Sequence, residues 1–182
     1  GEMEDWQQQL QAKNAQLLRT SLHDPLTGLA NRAAFRNVIS TLMKDETARR
    51  SSALLFLDGD NFKLINDNWG HATGDKVLIE VASRLMSFAS KRHQAWRLGG
   101  DEFAILLRDV HSEAEVKTLC TSLSSQFLEP FNLHNGHTTT LSLSIGYALA
   151  WEHGLSGLDV QPRFTALERL ARAGITVSTV LP

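Results

Sequence analysis

Acidic residues stand where a buried strand should end, and that placement is the first sign of chemistry in this sequence. Residues 53–57 are an unbroken apolar run, Ala-Leu-Leu-Phe-Leu, which reads as a strand buried on both faces. The run stops at Asp58-Gly59-Asp60. A second acidic pair, Asp101 and Glu102, follows Gly99-Gly100, a dipeptide that supplies the positive φ values of a two-residue turn. A carboxylate at the end of an apolar strand is costly unless it faces solvent or a cation. Two such sites on neighbouring strands would form an oxygen-rich pocket suited to Mg²⁺, which takes few carboxylates and completes its shell with substrate phosphates. Each site alone also reads as an ordinary solvated turn. The two together weigh against that.

Several other chemistries are excluded by spacing. Asp58-Gly59-Asp60-Asn61-Phe62-Lys63 begins like a calcium loop, but Phe62 stands at a ligand position and Lys63 where the loop needs glycine. Gly70-His71-Ala72-Thr73-Gly74-Asp75-Lys76 lacks the Gly-Lys-Ser/Thr ending of a phosphate loop. The seven histidines show no His-x-x-x-His pairing, and Cys120 is the single cysteine, so neither a zinc cluster nor an internal disulfide is available. A reducing compartment fits that cysteine usage. Ser144 lacks the Gly-x-Ser-x-Gly elbow of a serine hydrolase.

The elements that must position these residues can be read from periodicity. The chain has 182 residues, 42% of them hydrophobic, which suits one domain with a sizeable core. Its net charge of −2 argues against bulk binding of nucleic acid or anionic membrane. Helices are expected over residues 2–20, 33–43, 75–88 and 112–127, and strands over 53–57, 96–98, 101–107, 133–135 and 138–148. The predicted fold is α+β: a central mixed, largely antiparallel five-stranded sheet flanked by helices, preceded by an N-terminal helix. Along that helix Met3, Leu10 and Leu17 recur every seven positions, with Trp6 and Leu18 beside them. This is a short heptad seam for pairing two helices, or one face of a helix lying on its own domain. No apolar run is long enough to span a bilayer, and the acidic, glutamine-rich start is wrong for a signal peptide. A glycine ahead of Met3 suggests a piece of a longer protein.

Four segments in order resemble the motifs of GGDEF-domain diguanylate cyclases: residues 24–32 (Asp-Pro-Leu-Thr-Gly-Leu-Ala-Asn-Arg), Asp58 through Asp75, residues 97–103 (Arg-Leu-Gly-Gly-Asp-Glu-Phe) and residues 143–146 (Leu-Ser-Ile-Gly). The resemblance covers roughly residues 21–150. It implies a nucleotide-cyclase, palm-like fold and a reaction in which two GTP condense to cyclic di-GMP and two pyrophosphates in a homodimer. By carry-over, Asp58, the Gly59 carbonyl and Asp101 hold Mg²⁺, with Mn²⁺ as a substitute. Asp101 or Glu102 accepts the proton, and Lys63 stabilises charge on the phosphates. Asn66 and Asp75 read the guanine edge, with His71 nearby; a carboxylate accepts from guanine N1–H and its amino group, and an amide both donates and accepts. Gly99 and Gly100 let backbone approach the nucleotide closely. Phe62 and Ile65 read as core, and Trp69 as a packing residue or a stacking surface for a base. The wording of residues 53–75 and 134–137 further implies a cytoplasmic domain whose parent is anchored in the bacterial inner membrane.

The chain departs from the family pattern twice. The Arg-x-x-Asp product-inhibition site has Ser90 and His93 at its two positions, so no feedback binding of cyclic di-GMP is expected there. Arg92 stands out of register. After residue 152 the Tyr-x-Ala-Lys helix and its Gly-Arg are missing. Residues 153–182 instead carry Arg163, Arg169 and Arg172 around a short helical stretch at 165–173. The expected organisation is a linker helix at 1–20, a catalytic domain at 21–152 and an atypical tail at 153–182. With that tail, a catalytically silent domain that binds GTP or relays a signal is the alternative function.

Overall fold

In the computed structural model, which describes residues 1–151, one strand organises everything else. This is β1 (Ser52–Gly59), and it runs antiparallel to β3 (Glu102–Arg108) on one side and to β6 (Leu143–Leu149) on the other. The outer partner of β3 is β2 (Gln94–Gly99), giving the order β2-β3-β1-β6. Because side chains alternate along a strand, β1 feeds two cores at once. Ala53, Leu55 and Leu57 pack with Val77, Val81 and Leu85, and with Val116, Cys120 and Leu123. Leu54 and Phe56 pack on the other face with Phe35, Leu42, Trp96 and Leu98. There Phe35 meets Phe56 and Trp96 edge-on, with ring centroids 6.0 Å and 5.4 Å apart. Six consecutive buried residues in β1 agree with the expected doubly covered strand.

The covering helices follow from their own sequences. The first core is closed by α5 (His71–Ala89) and α6 (Glu113–Gln126), the second by α2 (Arg32–Lys44). Asn31 caps α2, its side chain accepting from the Ala34 amide at 3.1 Å; Ser112 caps α6 by accepting from Glu115 N at 3.2 Å. A short α3 (Glu46–Arg49) links α2 to β1, and α4 (Phe62–Trp69) precedes α5. The N-terminal helix α1 (Glu2–Leu22) leaves Met3, Trp6, Leu10 and Leu17 exposed. Cys120 is fully buried, and burial pushes its thiol up to about 12, which removes it from redox or nucleophilic chemistry.

The α+β class and the antiparallel sheet agree with expectation, while several details are corrected, among them the strand expected over 133–135, which lies earlier at Phe131–Asn132 because residues 134–136 turn the chain. Among the described residues the central sheet has four strands rather than five, and every strand pair in it is antiparallel rather than mixed. The one parallel pairing is an isolated bridge between Ala30 and Trp96. The segment expected as one strand over 138–148 divides. Its start, β5 (Thr138–Thr139), pairs with β4 (Phe131–Asn132) in a separate hairpin closed by Asn135 (φ 55°) and Gly136 (φ 77°). Helix α5 begins at His71 because Gly70, at φ 86° and ψ 163°, turns the chain there and ends α4 in the same step. The expectations for residues 153–182, including the short helix at 165–173, lie outside the described residues. Among the described residues no helix is long and apolar enough to cross a membrane.

Candidate active site

The register of β1 brings the sequence-predicted acids together. Asp58 lies opposite Glu102 on β3 and Ser144 on β6. Gly59 N donates to Asp101 O at 3.3 Å, and a Cβ placed on Gly59 would lie 3.7 Å from Asp101 Cβ. The Asp58 and Asp101 carboxyls lie close enough to act on each other, which favours a proton on the pair. Burial, then the charges of Asp101 and Glu102, push Asp58 up to about 7. Asp101 is also raised, chiefly by burial.

Two half-buried carboxyls that repel each other are the donor set a divalent cation would relieve, and the Gly59 carbonyl lies in the same turn. Among the described residues no three His, Cys, Asp or Glu side chains form a metal-holding group. The two carboxyls fit a divalent cation that takes few protein ligands and leaves positions for water and phosphate. Asp60, the third acid of the run, is engaged elsewhere: Ser144 Oγ donates to its two oxygens at 2.9 and 3.0 Å, and Asp60 N donates to Ser142 O at 2.9 Å. These bonds fix the path from β1 into α4.

The glycine turn is strapped from behind. Gly99 (φ 145°) and Gly100 (φ 50°) take backbone angles that side chains disfavour, and the β2–β3 register shifts between Arg97 and Gly99. Arg97 Nε and Nη2 donate to Gly100 O at 3.0 and 2.9 Å, while Nη1 donates to both Asp24 oxygens at 3.0 Å. Arg32 Nε holds Leu98 O at 3.1 Å. Asp24 also accepts from the Thr27 amide at 2.8 Å and the Thr27 hydroxyl at 2.7 Å. Burial alone would raise the Asp24 carboxyl; the Thr27 bonds and Arg97 outweigh it and hold it below the usual carboxylate range. These two arginines and Asp24 lie within segments singled out in the sequence. Their pairing across 73 positions left no local signal there.

The second cluster lies at the α4–α5 corner. Lys63 is exposed in the first turn of α4, and Asn66 is half-buried in its second. His71 and Asp75 are exposed at the start of α5. Phe62 and Ile65 are buried, as expected of core residues beneath this loop. Trp69 is 37% exposed and lies against His137 of the β4–β5 hairpin, 4.9 Å between ring centroids. Gly74 is buried against Asn66, a contact that sequence reasoning missed.

At the two departing positions, Ser90 ends α5 at φ 50°, and His93 is buried with its Nδ1 accepting from Arg108 N at 3.1 Å. Arg92 Nη2 donates to Asp109 O at 2.7 Å.

Comparison with known proteins places this geometry. The family described as diguanylate cyclase, GGDEF domain, matches residues 21–169. Diguanylate cyclase DgcN of Escherichia coli (strain K12) is 69% identical over 152 residues, 84% of this chain but 37% of the relative. Diguanylate cyclase TpbB of Pseudomonas aeruginosa (strain UCBPP-PA14) is 42% identical over 153 residues, 84% of this chain and 35% of TpbB. The chain thus spans little more than a third of the length of these relatives. Among solved structures, the GGDEF domain of TpbB, or YfiN, from Pseudomonas aeruginosa superposes with a TM-score of 0.67 at 42% identity, covering 72% of this chain and 77% of that one. The coiled coil and GGDEF domain of DgcB from Caulobacter crescentus, in complex with c-di-GMP, gives a TM-score of 0.74 at 27% identity, covering 95% of this chain and 92% of that one.

Proposed function

This chain belongs to the diguanylate cyclase GGDEF family, and from that membership we propose that it condenses two GTP into cyclic di-GMP with release of two pyrophosphates. The observation that carries the reading is the convergence of Asp58, Asp101 and Glu102 at the end of β1 beside the Gly99–Gly100 turn. Each 3′-hydroxyl attacks the α-phosphorus of the other nucleotide, and the bond to pyrophosphate breaks as the new P–O bond forms. Asp58, Asp101 and the Gly59 carbonyl hold a divalent cation, Mg²⁺ or Mn²⁺ in its place, which when bound neutralises the triphosphate and polarises the reacting phosphate. Asp101 or Glu102 accepts the hydroxyl proton.

The remaining residues orient the nucleotide. Lys63 offsets charge on the phosphates, helped by the first turn of α4, whose N-cap Asn61 makes no side-chain cap bond. Gly99 and Gly100 admit the nucleotide against bare backbone. Asn66 and Asp75 read the guanine edge beside His71. Residues 21–152 form the catalytic part and residues 1–20 the linker. Each domain holds one GTP, so turnover needs a homodimer, and the exposed stripe Met3, Trp6, Leu10 and Leu17 on α1 pairs the two copies. Unchanged dimerisation and activity after removal of residues 1–20 would overturn that role. The domain works in the cytoplasm, attached to a parent held in the inner membrane.

Feedback binding of cyclic di-GMP at Ser90 and His93 is absent in this reading, since the His93 ring and Arg92 are engaged with the fold. Equal rates with and without added product are expected. The central test is incubation of the chain with GTP and Mg²⁺ at high protein concentration, following cyclic di-GMP by chromatography. Product from the parent chain and none from Asp101→Ala supports the cyclase; no product from either makes the domain a silent GTP binder or relay.

A further inference from the structure

We propose that Gly74 is a positioning residue for guanine selection: its missing Cβ is what allows the Asn66 amide to lie against the first turns of α5. The proposal rests on the reading of Asn66 and Asp75 as the guanine-binding pair. Gly74 sits inside α5 and is buried, where glycine is a poor helix former compared with alanine. It is not among the glycines with positive φ, so backbone conformation does not call for it.

What calls for it is space. A Cβ at Gly74 would collide with Asn66 Oδ1, lie 2.9 Å from Asn66 Cγ, and come within 3.4 Å of Phe62 Cζ. The backbone at this corner is fixed, so it is the Asn66 side chain that must give way. The Asn66 backbone carbonyl accepts from Gly70 N at 2.9 Å, which ends α4, and Gly74 N donates to Gly70 O at 3.1 Å, which starts α5. Phe62 and Ile65 anchor the same short helix in the core. A methyl group at position 74 therefore moves the amide itself, one residue away in sequence from Asp75. Asn66 and Asp75 stand nine positions apart on different helices, and Gly74 is the contact that sets one against the other.

The test uses the full chain in the wild type, Gly74→Ala, Asn66→Ala and the double variant. Calorimetry would measure binding of α,β-methylene GTP, which cannot react, against α,β-methylene ATP, alongside thermal unfolding. The expected result is a loss of GTP-analogue affinity of about tenfold in Gly74→Ala, corresponding to about 1.4 kcal/mol. Weak ATP-analogue binding should stay unchanged, and Gly74→Ala should add nothing in the Asn66→Ala background. If Gly74→Ala fails to fold, recovery of folding in the double variant also supports the proposal, because the clash then lies with the amide. Wild-type affinity in Gly74→Ala, while Asn66→Ala loses it, overturns the proposal alone. So does an equal loss in both backgrounds, or a double variant that still fails to fold, since packing against Phe62 then explains the glycine. Wild-type affinity and selectivity in Asn66→Ala overturn the guanine reading and the proposal with it.

Discussion

Two half-buried carboxyls flank the Gly99–Gly100 turn and are driven in opposite directions. Behind the turn, Asp24 has Thr27 and Arg97 as donors and is held low; in front, Asp58 faces Asp101 and Glu102 and is pushed up to about 7. Burial acts on both in the same sense, so the partner decides. Asp24 is complete within the protein and serves as a fixture. Asp58 is left with repulsion that only a proton or a cation relieves, and that unfinished state marks it as the group that meets a ligand.

The comparison breaks first, and with the largest effect, at Asp101. Asp101→Ala should lower cyclic di-GMP formation at least about 100-fold, since it removes both a cation ligand and a candidate proton acceptor. Thermal unfolding without metal should show no loss of stability, because one member of a repelling pair is gone. Arg97→Ala should do the reverse. It leaves Asp24 without its cation and Gly100 O without two donors, at a cost of about 2–4 kcal/mol read by denaturant unfolding. Arg97→Lys should recover only part of this, because an ammonium cannot make the same forked contact.

The pH dependence sharpens the contrast. The folded-state pKa of Asp24 lies below its unfolded value, so its contribution is present above the ordinary carboxylate pKa of about 4 and is lost as pH falls. Asp58 has the opposite sign: the folded state binds the extra proton, so stability declines as pH rises from about 4 to 7. Metal-free protein should therefore unfold at a lower temperature at pH 7 than at pH 5. Added Mg²⁺ should remove that decline, and Asp58→Asn should flatten it while gaining about 1 kcal/mol at pH 7, a figure kept small because solvent screens a half-exposed group. The smallest effect is expected at Ser144→Ala. It removes the hydroxyl that holds the Asp60 carboxylate and so loosens the turn from β1 into α4 that carries the Gly59 carbonyl, and should raise the Mg²⁺ concentration needed for half-maximal activity by about two- to threefold, a cost of about 0.5 kcal/mol.

How much was legible beforehand follows the range of the interaction. Residues 53–57, with acids just beyond, announced β1 and its acidic end, because burial on both faces is written in adjacent residues. The apolar stripe of α1 was equally local. The division of 138–148 into β5 and β6 was not, since both halves alternate and only pairing with Phe131–Asn132 takes the first out of the main sheet. The start of α5 was missed because residues 71–74 carry no apolar periodicity; Thr73 and Gly74 are buried for lack of bulk rather than for hydrophobicity. The Asp24–Arg97 strut and the Gly74–Asn66 contact depend on distances that only the folded chain defines.

The aromatic contact on the second face of β1 has a bearing on catalysis as well as on packing. A strand that is apolar on both sides has no polar face to forbid a one-residue slip, and such a slip would turn every side chain over. Along β1 the two faces differ in bulk instead: Phe56 fits against Phe35, which also meets Trp96, while the opposite face takes alanine and leucine. Phe56 thereby works as an alignment key, indexing the strand so that Asp58, two residues on and on the same face, arrives opposite Glu102 and Ser144. A ring with no chemistry of its own keeps the acidic end of the sheet in step.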